Sequence, residues 1–206
     1  MKCLSVHQPW ADLEVDGIRS LEIRCWPTNY LGPLLIHAGL KVEKKECERF
    51  GRNPGVTGVI IGVVSLTNGT KRVSTREWEE LRSLHLESGP RCYGNKTFAW
   101  TFESAQRFLE PILFRGVLGL FDVPDALIPK PKFCIVRGGK VVESFLPGRY
   151  AGCRTHKIFG RLDCASGKRL MKKENRVFFF TWDDAIIMGY RPCKKCKPMP
   201  NDAYPK

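Results

Sequence analysis

Two sets of residues in this 206-residue chain combine side-chain types and spacings that suit chemistry. The first is Arg19, Glu22 and Arg24, which stand just after Gly17. Strand alternation puts Glu22 and Arg24 on one face, and a carboxylate beside a guanidinium orients a planar polar ligand through forked hydrogen bonds. A half-exposed strand carrying an ordinary charge pair has the same spacing. The second set is Cys193-Lys194-Lys195-Cys196, a CxxC with Cys164 upstream. Two thiolates separated by two residues bite one tetrahedral ion, and zinc so held substitutes for the core that a short segment lacks. This CxxC follows a helix and a turn, which is not the βαβ setting of a redox pair.

The elements that must position the first set begin at Gln8-Pro9-Trp10-Ala11, which opens a short helix because proline is tolerated in a first turn. Trp10, Leu13 and Val15 form its apolar side and Gly17 ends it. A strand then runs from Ile18, with Ile18, Ser20, Glu22 and Arg24 on one side and Arg19, Leu21 and Ile23 on the other. After a turn-rich loop, residues 34–38 read as a buried strand with His37 near its end, either a hydrogen-bonded strand-end histidine or a catalyst. Residues 41–49 read as a solvated helix, and residues 56–66 as the strongest strand, bent at Gly58 and Gly62. Ser74 and Glu77 make a capping box, residues 98–102 alternate as a strand, and residues 116–123 form the last strand of this part. Trp10, Trp26 and Trp100 offer either stacking faces for a base or core packing.

Gly17-x-Arg19-x-x-Glu22-x-Arg24 after Gln8-Pro9-Trp10 resembles the signature of the ASCH domain, a β-barrel of the PUA-like class. The likeness extends through Gly32 to Ala38, Gly58 to Leu66 and Phe98 to Pro124, so it spans residues 3 to 127. It implies a cleft for RNA or a modified nucleobase, lined by Gln8, Trp10, Arg19, Glu22, Arg24, Trp26 and His37. Some members of the family are amidohydrolases on acylated cytidine, with lysine and threonine at the positions that Arg19 and Glu22 hold here. An arginine is a poor proton shuttle. In an enzyme Glu22 would be the general base, assisted by Arg19 or His37.

Toward the other end, Gly160-Arg161-Leu162-Asp163-Cys164 and Gly189-Tyr190-Arg191-Pro192-Cys193-Lys194-Lys195-Cys196-Lys197-Pro198 resemble the zinc domain of the Ada DNA-repair protein. That family carries a cysteine or histidine four residues before Cys164, where this chain has Gly160. The missing residue is the family's methyl-accepting cysteine, so the chain lacks what phosphotriester repair needs. The resemblance implies zinc held by Cys164, Cys193 and Cys196. A fourth ligand then comes from elsewhere: His156, on a segment 154–159 that reads as a strand, with Cys153 as the alternative.

Net charge is +13 and unevenly shared. Residues 128–206 hold 18 Lys and Arg against 6 Asp and Glu, leaving 16 against 15 for residues 1–127. A domain so basic favours polyanions through counterion release, and Lys168, Arg169, Lys172 and Lys173 cluster as a phosphate-tracking face. No apolar run approaches the ~18 residues that span a bilayer, neither end carries a targeting signal, and nine cysteines in an odd count suit a reducing compartment. The expected protein is soluble and cytoplasmic, with nucleic acid, RNA or DNA, as partner, and with no membrane and no evident protein partner. Its fold class is α+β: a small PUA-like barrel with flanking helices over 1–127, a linker and hairpin over 128–150, and a small zinc-stabilised α+β domain over 151–206. The alternative function is a hydrolase on a modified nucleobase or nucleoside, or a nuclease, with its active site in the barrel cleft.

Overall fold

The structure, a computed structural model, describes residues 1–200, apart from the side chains of Lys168 and Leu170. Lys168, one of the cationic residues singled out above, therefore has its side chain outside the described residues. The chain divides into two compact units, one of residues 1–129 and one that starts at Lys130. Each has its own six-stranded mixed sheet and short helices.

In the first unit β1 (Lys2–Gln8) leads through a cis Gln8–Pro9 bond into α1 (Trp10–Val15), and Gly17, at φ +73°, turns the chain toward β2 (Leu21–Arg24). Then follow β3 (Gly32–Val42), α2 (Lys44–Arg49), β4 (Val59–Arg72), α3 (Thr75–Glu80), α4 (Arg82–His85), β5 (Phe98–Leu113) and β6 (Leu120–Asp122). The sheet order is β2-β5-β4-β3-β1-β6, with β1 parallel to β3 and the other pairs antiparallel. The two end strands, β2 and β6, do not pair among the described residues, so the sheet is not closed on itself by hydrogen bonds.

β3 and β5 are much longer than the segments 34–38 and 98–102 that their patterns suggest, and β4 runs past residue 66 to Arg72. Gly62 is the reason β4 can bend and continue, since the ladder to β5 shifts register between Ile60 and Gly62. A Cβ at Gly62 would collide with the Gln106 carbonyl and lie 2.8 Å from Val15 Cγ1. Against this sheet α1 buries Trp10, Leu13 and Val15 with Leu4, Leu34, Ile36, Ile61 and Trp100. Arg107 on β5 pins the helix from its polar side, 2.6 Å from Asp12 and 2.9 Å from Asp16. Ser74 and Glu77 form the capping box of α3 in both directions.

The second unit runs β7 (Phe133–Arg137), β8 (Lys140–Ser144), β9 (Tyr150–Cys153), β10 (Ile158–Arg161), α5 (Ala165–Leu170), β11 (Arg176–Phe179), α6 (Trp182–Ile187) and β12 (Arg191–Pro192). Its sheet order is β12-β10-β9-β11-β7-β8. The hairpin expected in the connecting segment is thus part of this sheet, with β7 parallel to β11. Gly138 and Gly139, at φ +58° and +74°, make its two-residue turn. The buried Asp184 of α6 accepts from the Thr181 N–H at 2.8 Å and from the Gly138 N–H at 2.6 Å, so one carboxylate caps a helix and fastens a hairpin. Tyr150, Phe159, Phe179 and Tyr190 make the core, with rings edge-on at 4.8 Å for Phe179 and Tyr190. No helix is long and apolar enough to cross a membrane among the described residues.

Gly62→Ala should cost about 1–3 kcal/mol, because backbone on one side and Val15 on the other leave no slack for a methyl group. A urea-unfolding midpoint equal to that of the parent would show that the bulge relaxes freely.

Candidate functional site

Arg19 is 2 % exposed and fully engaged. Its Nη2 lies 3.0 Å from Glu22 Oε2 and 3.0 Å from Glu87 Oε1, its Nε donates to the Leu21 carbonyl at 3.1 Å, and its guanidinium stacks 4.3 Å from the Trp10 ring centre. Strict alternation would put Arg19 on the face of Leu21 and Ile23, opposite Glu22. The strand, however, starts only at Leu21, so Arg19 sits in the turn and swings its head to the Glu22 side. Leu21 and Ile23 pack on the opposite face against Val73, Trp78 and Ala99.

Arg24 carries the network outward. Its Nε is 2.7 Å from Glu22 Oε1 and its Nη2 donates to the Ser5 carbonyl at 2.8 Å, while its side chain keeps 23 % of its surface exposed. Two residues further on, half-buried Trp26 meets Trp100 edge-on at 4.6 Å. Of the seven residues expected at the cleft, Gln8, Trp10, Arg19, Glu22 and His37 are buried, whereas Arg24 and Trp26 reach the surface. Gln8 is consumed by the Val56 carbonyl at 3.0 Å and the Asp12 N–H at 3.3 Å. His37 lies between Ser5 Oγ at 3.1 Å and the Phe114 carbonyl at 3.0 Å, and burial holds its pKa below the ordinary histidine value despite the bond to Phe114. Both ring nitrogens are therefore used in holding strands together.

Sequence reasoning passed over two members of this network. Glu14, on α1, is fully buried, and its Oε1 is 3.9 Å from Arg19 Nε. A carboxylate between Leu13 and Val15 beside the glycine turn was the available signal. Glu87 lies 68 residues from Arg19 and gives no local signal. Burial, then the charge on Glu22, pushes Glu14 well above the ordinary carboxylate range, with Arg19 opposing. Glu22 moves the other way: burial raises it, but Arg24 and Arg19 together outweigh that and hold it low. The two neighbouring carboxyls are thus shifted in opposite directions by burial and by the arginines.

In the second unit Cys164, at the start of α5, and Cys193 and Cys196, after β12, bring their Sγ atoms within 4.8 Å of one another. Turns fix them: the Cys164 N–H donates to the Arg161 carbonyl at 3.1 Å, the Cys193 N–H to the Phe159 carbonyl at 2.7 Å, and the Lys197 N–H to the Cys193 carbonyl at 3.0 Å. Although burial opposes it, backbone N–H groups of Cys196 and Lys195 hold the Cys193 thiol below its usual pKa. Three convergent, free thiols of this kind fit a soft divalent ion such as zinc.

His156 and Cys153 stand elsewhere. Residues 154–157 are the turn between β9 and β10 rather than the expected strand. There Cys153 Sγ is 3.1 Å from Thr155 Oγ1 and 3.4 Å from His156 Nδ1. The hydrogen bond with Thr155, and after it that with His156, bring the Cys153 thiol down to about 7 against the effect of burial. Neither residue belongs to the three-thiol group. Arg169, Lys172, Lys173, Lys194 and Lys195 are exposed.

A mixed-sheet unit built round a buried arginine-glutamate network and a unit with three convergent cysteines define a domain pair that comparison identifies. Residues 4–112 match the family model of the ASCH domain and residues 145–199 that of the metal binding domain of Ada. The chain belongs to the ASCH domain family, with an Ada-type metal binding domain after it. It is 56 % identical over 39 residues to human Activating signal cointegrator 1, a stretch covering 19 % of this chain and 7 % of that protein. It is 42 % identical over 50 residues, 24 % of each chain, to an uncharacterized protein of Methanocaldococcus jannaschii. The aligned stretches thus span a quarter or less of those relatives' lengths. Among solved structures, an ASCH protein from Zymomonas mobilis superposes with a TM-score of 0.47 at 16 % identity, over 61 % of this chain and 89 % of that one.

Glu22→Gln should cost about 3–5 kcal/mol in chemical denaturation, since it strands part of the buried Arg19 charge. Glu14→Gln should stay within about 1 kcal/mol of the parent in acid, below the ordinary carboxylate range, where the carboxyl carries its proton in the folded and the unfolded chain alike. The signs differ with pH. The stability Glu22 contributes is present above the ordinary carboxylate range and is lost as pH falls through its lowered native value. For Glu14 the contribution is present in acid and is lost as pH rises toward its raised native value, so Glu14→Gln should gain on the parent in alkali. Equal losses from the two substitutions at every pH would contradict this division of charge.

Proposed function

We propose that the chain binds nucleic acid, with the ASCH unit selecting a base and the basic metal-binding unit holding the phosphate backbone. The observation that carries this reading is the charge partition: residues 128–206 hold 18 basic against 6 acidic residues, and Arg169, Lys172 and Lys173 are exposed among them. On this reading the first unit is a PUA-like barrel. Arg24, fixed by Glu22 and the Ser5 carbonyl, presents its guanidinium to the base edge, and Trp26 offers a stacking face. The enclosed Arg19, Glu22 and Trp10 act by holding Arg24 in place. Zinc on Cys164, Cys193 and Cys196 supplies rigidity to the second unit. Linking a selective site to a general one raises local concentration, so neither needs high affinity alone.

A second reading, a hydrolase on a modified nucleobase, draws on one observation: Glu14 and Glu22 have proton affinities pushed apart, as an acid and a base require. Nucleoside mass spectrometry after incubation of naturally modified RNA and DNA with the zinc-loaded chain separates the two. Loss of one modified nucleoside supports the hydrolase. Survival of all of them, together with retention of nucleic acid on a filter, supports the reader.

For the reader, Arg24→Ala should abolish base preference and leave the salt dependence of binding nearly unchanged. Lys172→Ala with Lys173→Ala should do the reverse, lowering the slope of log K against log salt by about one for each lost phosphate contact. Uniform weakening on all sequences by Arg24→Ala would sink the assignment of base selection to the first unit.

A further inference from the structure

The metal centre has three protein ligands and a gap. Among the described residues no fourth histidine, cysteine, aspartate or glutamate donor joins Cys164, Cys193 and Cys196. The position that faces the group is Gly160 on β10: a Cβ built there would lie 2.7 Å from Cys196 Sγ, 3.3 Å from Cys193 Cβ and 3.8 Å from Cys164 Cβ. Its φ is not in the left-handed region, so conformational freedom does not account for a glycine there. What the glycine provides is the absence of a side chain, and so of a protein donor, at the position against which Cys196 Sγ packs.

A cavity of about 630 Å³ adjoins the group, and Gly160, Cys164 and Cys193 line it together. Apolar Phe178 and Met171 line it as well, and Arg176, Arg191 and Lys194 bring positive charge to its walls. Three thiolates on a divalent cation leave the centre with one net negative charge, which these cations offset. His156 and Cys153 also border the cavity, but they are engaged with each other and with Thr155. Closed four-ligand sets mark sites that only stabilise a fold, whereas three protein ligands beside a cavity mark sites that exchange a ligand.

We propose that the fourth coordination position is left open by Gly160 and takes an exchangeable, exogenous anionic donor from the cavity. The inference rests on the reading of the three cysteines as a metal site. With an ion held by Cys164, Cys193 and Cys196, such a donor would supply the fourth bond through a lone pair in place of water, a thiol giving up its proton to solvent, with no redox change. The mixed cationic and apolar walls suit a small organic anion with a thiolate or oxyanion head.

The test uses the full chain loaded with Co²⁺, whose visible bands report coordination, and titrates it with 2-mercaptoethanol. The parent should show a saturable shift of these bands, and its sulfur-to-cobalt charge-transfer intensity should grow by about a third as a fourth thiolate joins three. Gly160→Cys should show the four-thiolate spectrum from the start and no response. Gly160→Cys and Gly160→Ala place the same Cβ against Cys196 Sγ, so Gly160→Ala is the control for that displacement without an added thiol. That variant should keep the three-thiolate spectrum while losing most of the response. His156→Ala and Cys153→Ala should leave both spectrum and response as in the parent. A parent that binds Co²⁺ but ignores added thiol, or a His156→Ala or Cys153→Ala spectrum showing the loss of a ligand, overturns the open position while leaving the metal site intact. Failure to bind Co²⁺ at all overturns the metal site itself.

Discussion

The first unit depends on the cost of burying the Arg19 guanidinium. An arginine in an apolar interior keeps its proton, so its charge must be answered where it sits, and unanswered it costs several kcal/mol. Glu22 and Glu87 supply the answer at 3.0 Å each, and the Leu21 carbonyl takes a further donor. With Arg24 on the other oxygen of Glu22, the group holds two positive and two negative charges. Glu14, enclosed on α1, has less of this compensation: burial and the charge on Glu22 push its carboxyl up, whereas Arg24 and Arg19 hold Glu22 down.

That balance has a structural consequence. Its members come from α1, the turn after Gly17, β2, the segment after α4 and, through the Ser5 carbonyl, β1. None of these can move without exposing a charge to an apolar environment. A buried ion network of this kind contributes orientation more than net stability, and what it orients is Arg24, whose side chain keeps 23 % of its surface exposed. The second unit has a smaller core of four main aromatic rings and one buried carboxylate, Asp184, that joins α6 to the hairpin turn. The three-thiol group brings the start of α5 to the segment after β12, and a metal ion held there would add a second tie.

The parts legible in the sequence were those set by short-range rules. Capping boxes at Ser74 and Thr181, the glycine hairpin turn at 138–139, and the convergence of Cys164 with the CxxC depend on residues at fixed offsets or on a metal's demand for several thiols. Boundaries that depend on partners were not legible. Strand β5 runs sixteen residues because β4 bulges to follow it, and nothing near residue 103 announces that. Arg19 fell on the wrong side because alternation was extended two residues before the strand begins. Turn residues 154–157 were read as extended, which brought His156 toward the metal on paper although the hairpin turns it to Cys153 and Thr155. Glu87 was invisible for a plain reason: its role is defined by a contact 68 residues away.

The two units also differ in how their charges can be disposed, and counting alone decides the matter. Residues 1–127 carry 16 basic and 15 acidic residues, so every arginine drawn inside can find a carboxylate within the same unit, and Arg19, Arg24, Arg52 and Arg107 do. Residues 128–206 carry 18 basic residues and 6 acidic ones, two of the latter at the N-terminus of α6, where Asp184 is committed to backbone and hydroxyl donors. Whatever geometry this segment adopts, most of its cations have no internal carboxylate to meet. Their counterions must come from solution, and a polyanion that displaces those ions gains entropy by releasing them. On the proposed reading, a unit that is electrically self-contained and a unit that is not take different parts of one recognition event: the first a fixed, directional contact, the second a salt-sensitive hold that is indifferent to sequence.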